Sequence, residues 1–265
     1  MVESGEHMIK EGLEDIVAAS SAICDVKGNE GRLIYRGYDI HDLAEHSTFE
    51  EVVYLLWFGK LPTKVELAKI TKDLGSNRAL PTEIVEMMKK FPSKALPMDV
   101  LRTTVSALGF YDPDGEDNTE ESNLRRAVRL TAQTPTIIAY FDNIRNNKPT
   151  LAPKPELSLA ANFLYMLKGV MPDEVSTKSL DIALILHADH ELNASTFAAR
   201  VAAATLTDMY SAVTAAIGTL KGPLHGGANQ EVIKLLLKIG KVEEAASYVH
   251  HMLEEHKKIM GFGHR

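Results

Sequence analysis

Three histidines stand in sequence settings able to carry chemistry. The first setting is Leu186-His187-Ala188-Asp189-His190-Glu191-Leu192-Asn193. His187 and His190 lie three apart, which on a helix puts both imidazoles on one face, just after the apolar run Ile182–Leu186. Two polar residues finishing a buried helix are the plainer account of such a pair. Zinc is the other, but the order H-x-x-H-E matches neither arrangement that couples two ligating histidines to a glutamate base, so no metal is expected. The second setting is Lys221-Gly222-Pro223-Leu224-His225-Gly226-Gly227-Ala228-Asn229. Glycines allow a ligand close to the backbone, and the first N–H groups of a following helix favour negative charge. A simple inter-helix turn with an incidental His225 fits the same residues. No G-x-x-x-x-G-K-[ST] phosphate loop is present. The third is Ile259-Met260-Gly261-Phe262-Gly263-His264-Arg265, where Gly-x-Gly follows a helix pattern rather than the strand a dinucleotide loop needs. It reads as a frayed end or as a motif cut short at Arg265, and the second is the expectation.

Composition limits what these histidines could serve. The net charge is −7 and no run of Lys or Arg offers a basic face for nucleic acid. Lys89-Lys90 and Arg125-Arg126 read as isolated pairs on solvated helix faces. One cysteine, Cys24, excludes an intrachain disulfide framework and a cysteine-based zinc site. No stretch approaches the ~18 apolar residues of a membrane span. Met1–Glu14 is charged and lacks the apolar core of a secretion signal, so cytoplasm is the expected compartment.

The elements that must position the histidines are almost all helical. Residues 18–38 read as one hairpin, Ser21–Val26 and Arg32–Tyr35 about the turn Lys27-Gly28-Asn29-Glu30-Gly31. Ser47-x-x-Glu50 reads as a capping box for a helix that Gly59 closes, and Thr63-x-x-Glu66 as one for a helix stopped by Gly75. Thr82–Phe91 and Pro97–Leu108 follow, then an acidic loop over Asp112–Thr119. A helix over Glu120–Asn143 should kink or break at Pro135. Three prolines mark Asn146–Pro155 as a loop, before helices over Pro155–Lys168 and Asp173–Leu192. Ala194–Leu220, rich in alanine, serine and threonine, is expected to be one central, tightly packed helix. Asn229–Ile239 and Val242–Ile259 complete the pattern, with His250, His251 and His256 facing solvent. The fold class is all-α with a minor hairpin.

In this order, the three histidine settings resemble those of the citrate synthase family. So do Glu30-Gly31-Arg32-Leu33-Ile34-Tyr35-Arg36-Gly37-Tyr38, Thr48-Phe49-Glu50-Glu51-Val52-Val53-Tyr54-Leu55-Leu56 and Ala160-Ala161-Asn162-Phe163-Leu164-Tyr165-Met166. The resemblance runs from about Gly12 to the last residue and is closer to the bacterial and archaeal enzymes. It implies a multi-helix large domain over 1–227 and the beginning of a small, mobile helical domain over 228–265. It implies a homodimer, for which the small residues of Ala194–Leu220 offer a packing face. The implied reaction condenses acetyl-CoA with oxaloacetate and hydrolyses citryl-CoA to citrate, the first step of the tricarboxylic acid cycle, with coenzyme A thioester as substrate and no prosthetic group.

The resemblance also implies roles. His225 would donate a hydrogen bond to the enolate oxygen, and His264 would polarise and protonate the oxaloacetate carbonyl. His190 would hold oxaloacetate, with His187, Asn193 and Ser195 in support and Arg265 contributing. The backbone of Ile259, Met260, Gly261 and Gly263 would lie along coenzyme A. The family's base is an aspartate that no aspartate of this sequence matches, Asp189 belonging to the histidine motif. This chain alone is therefore expected to be inactive and to expose apolar surface. 2-Methylcitrate synthase, which uses propionyl-CoA, shares the motifs. A non-catalytic helical scaffold is the reading from another class.

Overall fold

The computed structural model describes residues 19–223, 225–259 and 261–262. The chain divides into two compact units, one over Ser21–Lys221 and one holding the residues from Gly222 onward.

The body over Ser21–Lys221 begins with a three-stranded antiparallel sheet in the order β1 (Cys24–Lys27), β2 (Arg32–Tyr35), β3 (Tyr38–Asp39). Cys24 pairs with Tyr35 and Lys27 with Arg32, so the expected hairpin is present, and β3 adds a strand that the sequence pattern did not show. Ten helices follow: α1 (Ile40–His46), α2 (Phe49–Phe58), α3 (Lys64–Ser76), α4 (Thr82–Met88), α5 (Pro97–Leu108), α6 (Glu120–Arg145), α7 (Leu159–Lys168), α8 (Glu174–Leu186), α9 (Ala194–Ala203) and α10 (Met209–Leu220). The fold is all-α with one small sheet. No described helix is long and apolar enough to cross a membrane.

Two of the body's three buried clusters position the sheet and most of the helices. One joins α4, α5, α6, α7 and α10 through Met88, Val105, Ile137, Met166 and Tyr210. The other seats the sheet on α1, α2 and α8 through Tyr35, Leu43, Val52, Leu55 and Ile185. Each such side chain contributes about 1.5–3 kcal/mol of burial. This second cluster fixes where α8 ends.

Several expectations are corrected by long-range contacts. The capping box of α2 is Thr48 with Glu51, not Ser47 with Glu50. Glu50 turns inward instead, and Ser47 closes α1. Gly75 does not stop α3 but lies inside it, where a Cβ would sit 2.4 Å from the Pro155 carbonyl oxygen. Glycine lets the helix touch that backbone. Helix α6 runs unbroken through Pro135, because Ala132, Gln133, Thr136 and Ile137 around it are buried and hold both halves in place. Helix α7 starts at Leu159 rather than Pro155, capped by Ser158. Buried Arg78 ties down the preceding segment through the carbonyls of Lys154 (2.7 Å) and Leu157 (2.8 Å).

Arg125 and Arg126 are not an equivalent solvated pair. Arg125 stays half exposed, whereas Arg126 is 1% exposed, with its Nε 2.5 Å from Asp112 and its remaining donors on the carbonyls of Gly115 and Asp117. Arg129 grips Asp112 and Asp114 from the next turn. The acidic loop is thereby folded over three arginines of α6.

The alanine-rich segment is two helices, not one. Leu206 takes a left-handed φ of 63°, and Asp208 caps α10 by accepting from the Ser211 N–H at 2.9 Å. The α9–α10 pair packs as a helical hairpin. Tyr210, Ala212 and Ile217 of α10 are buried, while α9 buries none of its residues, contrary to the tightly packed helix expected.

In the unit from Gly222 onward, α11 (Ala228–Ile239) and α12 (Val242–Glu254) form the described helices. Helix α12 ends five residues before the expected Ile259, where His256 turns left-handed (φ 53°) and the Lys257 N–H closes onto the Met252 carbonyl. His250, His251 and His256 are exposed, as expected.

Candidate active site

The pair His187 and His190 does not share a helix face. Helix α8 stops at Leu186, His187 is its C-cap, and His190 lies in the irregular turn that leads to α9. The helix ends there because its last turn meets the sheet. Tyr35, fully buried on β2, donates from its hydroxyl to the Asp189 carbonyl (2.9 Å) and accepts from the Asp189 N–H (3.2 Å). The same hydroxyl lies 3.1 Å from the Ile185 carbonyl. Burial pushes its pKa up to about 12, so it remains a donor at neutral pH.

A second tie comes from β1, where the Val26 N–H donates to Glu191 Oε1 at 2.9 Å. Glu191 is left-handed (φ 59°), and its N–H donates to Asp189 Oδ1 at 2.9 Å, an Asx turn. Asn193 then caps α9, accepting from the Thr196 N–H (3.0 Å) and the Ser195 hydroxyl (2.7 Å). The structure thus gathers His187, His190, Asn193 and Ser195 around one turn. His187 and His190 are exposed. His187 Nδ1 sits 2.6 Å from the Ala183 carbonyl, which can only accept, so that nitrogen carries the proton.

Cys24, beside this turn, is not a candidate nucleophile. Burial, with the Asp189 carboxylate adding to it, pushes the thiol up to about 12. Tyr35 and Glu191 are the residues that sequence reasoning missed here. The available signal was Asn193 itself, a strong N-cap residue that ends any helix running through the motif.

His225 belongs to the other unit. Its N–H donates to the Gly222 carbonyl at 3.0 Å in the turn that leads into α11. Gly227 is the N-cap residue, with α-type backbone (φ −73°) and room for a Cβ, 3.5 Å from the Pro223 carbonyl oxygen. The fold of this turn therefore does not itself demand glycine at 227. Gly261 is different, with a φ of +96° that favours glycine strongly. The Ile259 carbonyl accepts from the Phe262 N–H at 3.2 Å. Met260, Gly263, His264 and Arg265 lie outside the described residues.

Cavities of about 460 and 770 Å³ open in the body, the first between the acidic loop and the α9–α10 corner, the second between α3 and α6. Neither is lined by a candidate site residue. Among the described residues, no three His, Cys, Asp or Glu side chains are placed to share a metal ion.

The residues 12–265 match a family model described as citrate synthase, C-terminal domain. A citrate synthase 2 of Bacillus subtilis is 48% identical over 255 residues, covering 96% of this chain and 68% of the relative. A 2-methylcitrate synthase of Mycobacterium tuberculosis is 43% identical over 257 residues, covering 97% and 65%. The solved citrate synthase of Pyrobaculum aerophilum superposes with a TM-score of 0.89 at 43% identity, covering 97% of this chain and 66% of that one. That of Thermoplasma acidophilum, in a ternary complex with carboxymethyl coenzyme A and oxaloacetate, gives 0.85 at 31% identity, covering 97% and 68%. The chain spans about two thirds of the length of these relatives. A match of this extent, carried through all three histidine motifs, places the chain in the citrate synthase family.

Proposed function

We propose that this chain supplies the oxaloacetate-binding turn and the enolate-stabilising histidine of a citrate synthase, an acyltransferase that joins acetyl-CoA to oxaloacetate. The observation that carries the reading is the unbroken family match over residues 12–265, with relatives of that name at up to 48% identity. A base removes a proton from the thioester methyl group, and His225 donates a hydrogen bond to the oxygen on which charge develops. The new carbon nucleophile attacks the keto carbon of oxaloacetate, whose oxygen takes a proton from His264. Water then cleaves the thioester, releasing citrate and free coenzyme A. His190 holds oxaloacetate, with His187, Asn193 and Ser195 shaping the turn behind it and Arg265 at a carboxylate. Ile259, Met260, Gly261 and Gly263 lie along coenzyme A, which is consumed as substrate, with no prosthetic group. The base is assigned to none of this chain's aspartates. Residues 228–265 belong to the small, mobile domain, the working form is a homodimer, and the compartment is the cytoplasm, where the reaction opens the tricarboxylic acid cycle. Support for the dimer comes from α9, whose Val201 is 53% exposed beside Leu206 at 80%.

The test is release of coenzyme A thiol by the complete gene product, with oxaloacetate and either acetyl-CoA or propionyl-CoA. Higher kcat/KM for acetyl-CoA is expected. A preference for propionyl-CoA would instead establish the second reading, 2-methylcitrate synthase, which the Mycobacterium tuberculosis relative supports. No thiol release from either would remove both. In the same preparation, His190→Asn should raise the KM for oxaloacetate, and sedimentation should give twice the monomer mass.

A further inference from the structure

We infer that Tyr35 is a positioning residue for oxaloacetate, acting through the backbone of the His190 turn that its hydroxyl grips on both sides of the Asp189 Cα. The inference rests on the reading above that His190 holds this substrate.

The turn between α8 and α9 is held by bonds of its own and by bonds from the sheet. One Asx bond, Glu191 N–H to Asp189 Oδ1, lies inside it, and Glu191 sits in a left-handed conformation that a glutamate does not choose unaided. Further ties come from the sheet. Tyr35 satisfies both the N–H and the C=O of Asp189, and Val26 anchors the Glu191 carboxylate. Asp189 and Glu191 are the two neighbours of His190. Both neighbours of the histidine are therefore tied to one strand pair, Asp189 by its backbone and Glu191 by its side chain, across 154 residues for Tyr35 and 165 for Val26.

Tyr35 itself is 0% exposed, enclosed entirely by protein. Its ring belongs to the cluster with Leu43, Val52 and Ile185, and its oxygen makes the hydrogen bonds to the turn. Ring and hydroxyl thus have separable jobs. Phenylalanine keeps the packing and removes the grip. A displacement of about 1 Å in a binding group costs on the order of a hundredfold in rate, and groups held within roughly 0.5 Å need such a supporting layer.

The experiment uses the complete gene product and reads KM for both substrates. Tyr35→Phe is expected to raise the KM for oxaloacetate about tenfold and to leave the KM for acyl-CoA within about twofold. Glu191→Ala should shift the oxaloacetate KM in the same direction. Glu191→Gln, which keeps the acceptor for the Val26 N–H, should stay near wild type. Ile84→Val, in the first core cluster, supplies a variant that loses stability without touching the turn, and its oxaloacetate KM should not move. Should Tyr35→Phe lower only the melting temperature, with the oxaloacetate KM unchanged while His190→Asn raises it, the inference is overturned and the His190 reading stands. An unchanged oxaloacetate KM in His190→Asn itself removes the reading, and the inference with it.

Discussion

Glu50, on α2, accepts the backbone N–H of Leu159 at 2.7 Å, so one helix supplies the cap for the first residue of another 109 residues away. Asp181, on α8, does the same for Phe49 at the start of α2. These are buried carboxylates, and burial raises both above the ordinary carboxylate range, each raised further by a neighbouring carboxylate charge.

The sign of the pH effect follows. A carboxyl whose folded pKa is raised binds protons more tightly in the folded state. Its contribution is full below the unfolded pKa and is lost as pH rises through the folded value. Glu50→Gln keeps an oxygen for Leu159 and removes the charge. It is expected to raise the melting temperature at neutral pH and to flatten its decline above the ordinary glutamate value. Glu50→Ala leaves the Leu159 N–H unsatisfied and should cost about 1–3 kcal/mol. Calorimetry across the acid-to-neutral range decides both, and a Glu50→Gln melting temperature below wild type at pH 7 would contradict the first.

Arg126 and Arg125 should separate sharply in urea titrations. Removing Arg126 leaves the Asp112 carboxylate, which is 5% exposed, with Arg129 as its remaining arginine partner, and frees two loop carbonyls. Arg126→Ala is expected to cost about 3–5 kcal/mol. Arg125→Ala, on the half-exposed side chain next to it, should leave the unfolding midpoint nearly unchanged. Equal losses would mean that the acidic loop is held by charge in general rather than by the buried pair.

Gly75→Ala offers a test in which propensity and packing oppose each other. Alanine favours a helix interior by about 1 kcal/mol over glycine. Here its methyl group meets the Pro155 carbonyl oxygen at 2.4 Å, a backbone atom that cannot swing aside. Net destabilisation of about 1–3 kcal/mol is expected, read as a lower urea midpoint at unchanged slope. A stabilised variant would show that the contact is not made in solution.

Gly227→Ala should behave in the opposite way. The backbone there is already α-type and the Cβ has ordinary space, so stability is expected to hold or rise by about 0.4–1 kcal/mol. If acyl-CoA approaches this turn, as proposed, kcat/KM for acetyl-CoA should nonetheless fall by about tenfold, equivalent to about 1.4 kcal/mol. Unchanged kinetics would place the thioester elsewhere.

These cases also show what the sequence could convey. Local chemistry was legible: the Thr63–Glu66 box, the left-handed Gly59 that closes α2 and the proline that opens α5 all stand where their spacing put them. Three of the misreadings share a cause, a partner outside the local pattern. Glu50 passed for a capping residue because Leu159 was invisible, Gly75 for a stop because Pro155 was, and Arg126 for a surface residue because Asp112 was not seen to fold back. At the site, the identities of His187, His190 and His225 were legible from their motifs. The shape of the first turn was not, since the hydroxyl that holds it belongs to a strand 154 residues earlier. Asp208 with Ser211, like Asn193 with Thr196, was a local cap signal that could have split the long helical runs.

The ties from the sheet to the histidine turn also set an order of events at birth. Tyr35 leaves the ribosome 154 residues before Asp189, which at 5–20 residues per second is a wait of roughly 10–30 s. Closing so long a loop carries an entropy cost on the order of 4 kcal/mol, against only about 6 cal/mol for each further residue. The hairpin can form promptly, yet its hydroxyl has nothing to grip until almost all of the body exists. On the proposed reading of the His190 turn, oxaloacetate affinity then becomes a late milestone of maturation, acquired when the two ends of the body meet rather than when the histidines themselves are made.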